Sequence, residues 1–124
     1  MLSSFGEELG LDREHALRIA GAFGGGMARM GDQCGAVTGA CMAIGLKYGK
    51  TKAEDEGARD KTYELVGEFV ARFKDRNGSI ICKELLGYDL SNPQEGEAAK
   101  QKGLFDTLCR KLVNDAVEIL EKIL

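Results

Sequence analysis

The sequence predicts an all-α domain, a compact bundle of about five or six helices with no sheet. Three observations carry that expectation. Apolar residues recur at helical spacing in several separate segments. No alternating strand pattern of useful length occurs. Cap residues and glycines punctuate the chain at helix-length intervals. At 124 residues the chain fits one domain spanning residues 1–124, and it can bury a core without disulfides or metal. The apolar fraction of 44% against 30% charged reads as globular rather than disordered.

The elements follow in order. Residues 1–9 read as the tail of an amphipathic helix that begins abruptly, so further chain, truncated here at the N-terminus, is expected upstream. Gly10-Leu11-Asp12 ends it, and Asp12 caps a second helix with Ala16, Leu17, Ile19, Ala20 and Phe23 on one broad face. Gly24-Gly25-Gly26 stops that helix. Residues 24–31 form a Gly-rich connector that is neither a dinucleotide fingerprint nor a P-loop: no G-x-G-x-x-G can be read, and Asp32-Gln33 stands where Lys-Ser/Thr is needed. A third helix, rich in small residues, is expected from Gln33 to Tyr48, with Asp32 as its N-cap and Gly49 as its C-cap.

The fourth and longest helix is predicted within about residues 52–77. Thr51 and Glu54 supply a capping box, and Tyr63, Val66, Phe69, Val70 and Phe73 supply a buried stripe. A short helix from Ser79 to Leu86, a polar surface loop from Tyr88 to Gly103, and a last helix from about Thr107 complete the reading.

Three of the four cysteines fall at predicted helix starts: Cys34 after Asp32, Cys82 after Ser79, Cys109 after Thr107. Unpaired backbone N–H groups and the helix dipole favour a thiolate there, and a thiolate is both nucleophile and metal ligand. Buried cysteines acting as small hydrophobes have no reason to prefer helix starts, so a shared site is expected. Cys41 lies seven residues beyond Cys34 on the same helix, about 10 Å along the axis. That is beyond the ~7 Å a disulfide spans, and Cys41 reads as a core residue. No C-x-x-C is present, and the lone His15 sits on a charged, cap-proximal stretch.

At these residues the chain resembles the redox-active family named for its cysteine pattern, C_GCAxxG_C_C. The resemblance is carried by Gly24-Gly25-Gly26-Met27-Ala28-Arg29-Met30-Gly31, Cys34-Gly35-Ala36-Val37-Thr38-Gly39-Ala40, Gly45-Leu46-Lys47-Tyr48-Gly49, Asn77 to Gly87, and Cys109. It implies cysteines acting together, with Cys34, Cys82 and Cys109 as redox-active residues and metal ligands and Gly35 and Ala36 beside the cofactor. The family's leading cysteine has no counterpart here, and Cys41 comes too late to replace it. A related domain occurs in split-Soret cytochromes, where an iron–sulfur centre has been proposed; this chain lacks the C-x-x-C-H that attaches haem.

The functions to separate are therefore an iron–sulfur or other metal redox module (an oxidoreductase or electron-transfer protein), a metal-free thiol–disulfide protein, and a non-enzymatic helical binding domain. A redox partner of unknown identity is expected. The net charge of −3, with interspersed signs, excludes a nucleic-acid stripe. No apolar run approaches a membrane span, and no signal peptide is read, so a cytoplasmic location is expected. A homodimer is expected from the small-residue helix and from the likeness to dimeric cytochrome domains.

Overall fold

A computed structural model describes all 124 residues. It is all-α, with seven α-helices rather than five or six: α1 (Leu2–Gly6), α2 (Arg13–Ala20), α3 (Gly35–Tyr48), α4 (Glu56–Asn77), α5 (Cys82–Leu86), α6 (Pro93–Gln101) and α7 (Leu108–Ile123). Short 3-10 turns extend α1 and α2. An isolated antiparallel bridge, Gln33 to Ile81, is never extended into a strand. No helix is long and apolar enough to cross a membrane.

The additional helix is α6, which replaces the expected polar loop. Its start signal is Asn92-Pro93: the Asn92 carboxamide accepts from the N–H groups of Gln94 and Glu95, and Pro93 stands at the first turn, where its missing N–H costs nothing. Ala99 then buries completely. Three cap assignments also shift. Cys34, not Asp32, is the N-cap residue of α3. Asp55, not Thr51, caps α4, accepting from the Ala58 N–H at 3.1 Å. Ser79 turns its hydroxyl to the Ile81 N–H, and α5 begins only at Cys82.

The main core lies where α3 packs against α4 and α7, with α1 closing one side. α4 contributes Leu65, Phe69 and Phe73, at i, i+4 and i+8; the two rings stack with centroids 5.9 Å apart. Fully burying such side chains contributes about 1.5–3 kcal/mol each. Tyr63 is 68% exposed rather than buried. At 100° per residue it lies about 120° round the helix from Phe69, outside the stripe that Leu65 occupies. Leu17 and Ile19 are likewise exposed, because α2 meets α1 through Ala16.

The small residues of α3 serve this packing. Ala36, Ala40 and Ala43 are buried, and a Cβ at Gly39 would stand 2.9 Å from the Cβ of Met1. Ala36, Gly39, Ala40 and Ala43 are thus used for packing within the chain. A smaller cluster, Cys82, Leu86, Leu90 and Ala99, joins α5 and α6 to the start of α7.

Candidate cysteine site

Two of the cysteines are brought together by the backbone rather than by their helices. The segments before α3 and α5 run antiparallel, with the Cys34 N–H donating to the Ile80 carbonyl (2.8 Å), the Cys82 N–H to Asp32 (2.6 Å) and the Lys83 N–H to Gly31 (3.2 Å). Gln33 and Ile81 are directly opposite, so Cys34 and Cys82 both leave from the other face as diagonal neighbours. In that register their α-carbons stand about 7–8 Å apart, wider than a disulfide closes without backbone movement. All four cysteines are free thiols.

Cys109, the second residue of α7, completes the group. Cys34, Cys82 and Cys109 line one cavity of about 280 Å³, together with the two predicted neighbours Gly35 and Ala36. Leu86, Leu90, Phe105 and Leu112 form much of the opposite wall, and no charged side chain lines it. Cys41 does not reach the cavity and packs against the main core instead. His15 is exposed and paired with its cap residue Asp12.

The helix starts do not make these groups thiolates. Burial is the largest influence on all three and pushes each upward. Cys82 reaches about 11, raised further by the negative charges of Cys34, Cys109 and Asp89. Cys109 is also raised by Cys34. Around Cys34 the N–H groups of Ala36 and Val37 pull the other way, without closing a cap hydrogen bond, and burial still prevails. Burial in an apolar cavity outweighs the expected dipole effect at all three, and at Cys82 the helix α5 is also only five residues long. Cys41 is raised by burial alone, whereas Cys82 and Cys109 also feel the charge of Cys34.

The Gly-rich connector has an unusual form. Gly25, Gly26, Met27, Ala28 and Arg29 follow one another at φ 68°, 71°, 69°, 50° and 65°, a left-handed turn. For the three residues with side chains this costs about 1–2 kcal/mol each. None is offset by burial, because Met27, Ala28 and Arg29 are all exposed. Backbone bonds hold the turn, among them Ala28 N–H to Ala22 (2.9 Å), Gly31 N–H to Gly25 (3.1 Å) and Asp32 N–H to Gly26 (2.9 Å). Gly26 is buried against the site: a Cβ there would meet both the Cys82 Cβ and the Asp32 nitrogen at 2.6 Å. The glycines were visible in the sequence; the left-handed path through three ordinary residues was not, since no side chain there demands it.

The donor set can be tested against a metal group. Three thiols in an apolar pocket are soft ligands of the kind zinc, copper(I) and iron–sulfur clusters take. No three His, Cys, Asp or Glu side chains are gathered closely enough to hold a single ion. No curated protein and no solved structure matches the chain. The family model described as "Putative redox-active protein (C_GCAxxG_C_C)" matches residues 1–123, and the chain belongs to that family.

Proposed function

We propose that this protein is an electron-transfer module in which Cys34, Cys82 and Cys109 ligate an iron–sulfur cluster in the shared cavity. One observation carries the reading: three thiols from three helix starts line one cavity without a charged side chain. When bound, such a cluster supplies one-electron chemistry at a potential set by its ligands and surroundings. The chain's own part is to present the sulfurs, exclude water with Leu86, Leu90 and Phe105, and keep Gly35 and Ala36 small beside the cluster. The raised thiols must lose their protons on loading, which a coordinating metal brings about.

The same reading disfavours thiol–disulfide exchange, because neutral thiols are poor nucleophiles at pH 7. It includes a redox partner of unknown identity and a cytoplasmic setting. Anaerobic incubation of the reduced protein with ferrous iron and sulfide is the test. Visible absorption and bound iron are expected for the native chain and for Cys41→Ala, and are expected to be lost in Cys34→Ser. A colourless protein that cycles between dithiol and disulfide would replace this reading with the exchange one.

A further inference from the structure

The left-handed turn at residues 25–29 calls for an explanation that core packing does not give. Strained backbone persists where its surroundings over-determine it, yet the side chains of Met27, Ala28 and Arg29 lie on the surface and bury nothing. What holds the turn is backbone bonding, and its last two bonds end at Gly31 and Asp32. The carbonyls of those same two residues accept from Lys83 and Cys82. Gly26, in the middle of the turn, lies against Cys82 itself. Turn, ladder and two of the three cavity cysteines are therefore one mechanical unit, and the ladder is a single isolated bridge.

We infer that the left-handed turn is a latch on the cysteine site, formed with free thiols and held more firmly when a bound group ties Cys34 to Cys82 across the ladder. The inference rests on the ligand reading for those two residues. Tying the two sulfurs fixes the ladder, the ladder fixes Gly31 and Asp32, and these keep residues 25–29 left-handed. Without the tie, the turn stands as described but the short ladder frays more often, and the strained residues then relax toward right-handed φ. The cavity wall formed by Gly24, Gly25 and Gly26 then opens. The latch thus regulates the site: an empty site opens for loading more often than a loaded one opens to release its group.

Arg29 places a trypsin-sensitive bond inside the turn, so cleavage there reports opening. Limited digestion, with fragments identified by mass spectrometry, compares reduced metal-free protein with two tied forms. One is reconstituted with iron and sulfide. The other is treated with phenylarsenic(III) oxide, whose arsenic bonds to two neighbouring thiols as its oxygen leaves as water. Cutting after Arg29 is expected to slow several-fold in both tied forms, with other sites little changed. In Ala28→Gly the strain is relieved, so the midpoint of thermal unfolding is expected to rise and the difference between free and tied forms to shrink. If iron does not load but the arsenical still protects Arg29, the cluster reading fails and the latch stands. Equal cutting in the free form and in a tied form overturns the latch.

Discussion

The two ends of this molecule are built on opposite terms. Where α3, α4 and α7 meet, large side chains such as Phe69, Phe73 and Ile119 are wholly enclosed and the helices are long. Around the cysteines the helices are short or only beginning, the buried cluster is four residues, and backbone bonds do what side-chain packing does elsewhere. The first region carries the stability, and the second holds the three cysteines to which the proposed chemistry is assigned. The difference teaches that a reactive cavity can be kept open because another part of the fold supplies the free energy to hold it.

Substitutions should separate the two. The largest effect is expected from Phe69→Ala, at about 3–5 kcal/mol. In urea titrations it should lower the midpoint steeply, while protein that remains folded still takes up iron. Gly26→Ala should cost about 3 kcal/mol, from a methyl group driven against the Asp32 and Gly31 backbone and the Cys82 Cβ. Unlike the core change, it should abolish loading even at low temperature, where the chain stays helical by circular dichroism. If Gly26→Ala loads normally, the division of labour is wrong.

A smaller effect is expected from pH. The folded chain holds the Cys82 proton more tightly than the unfolded chain, whose thiol titrates near 9.0, against about 11 when folded. Its contribution is therefore complete below 9.0 and is lost as the pH rises toward 11. Urea midpoints of metal-free protein should fall across that interval, and those of Cys82→Ala should fall less. The smallest effect belongs to Arg76→Ala. Arg76 meets Glu118 at 2.6 Å and Asp115 at 3.4 Å between α4 and α7. Glu118, the nearer partner, is solvent-exposed and only Asp115 is largely shielded, so the loss should stay below about 1 kcal/mol. A larger loss would move part of the stability from core to surface.

The legibility of the sequence divides along the same line. Helices α2, α4 and α7 were legible through apolar spacing, because burying a stripe is a local pattern with a period, and α3 through its flanking caps and its run of small residues. Tyr63 misled because an aromatic side chain near that stripe looks buried until the angle is counted. The helix α6 was missed because its cap, Asn92-Pro93, sits in a polar stretch with a weak apolar face. Cys34, Cys82 and Cys109 could be picked out as a set by their places at helix starts and by the family pattern. Their ionisation was misjudged, since a dipole can be read from position but the apolar wall that opposes it comes from residues distant in sequence. The ladder joining Cys34 to Cys82 was invisible for the same reason: it is made by main-chain groups that every residue carries.

That ladder has an evolutionary and engineering consequence. Residues 31–34 and 80–83 must keep their register, because a slip by one would turn one of the two sulfurs to the wrong side. The chain between them is under no such constraint at its exposed bend, residues 50–55. Loop closure grows only slowly more costly with length. An added stretch of polar residues, a reporter peptide or a whole inserted domain at that bend should leave the distance between the two thiols unchanged. The bend is thus the natural attachment point for new parts, since the separation of the two cysteines along the chain has no bearing on their separation in space.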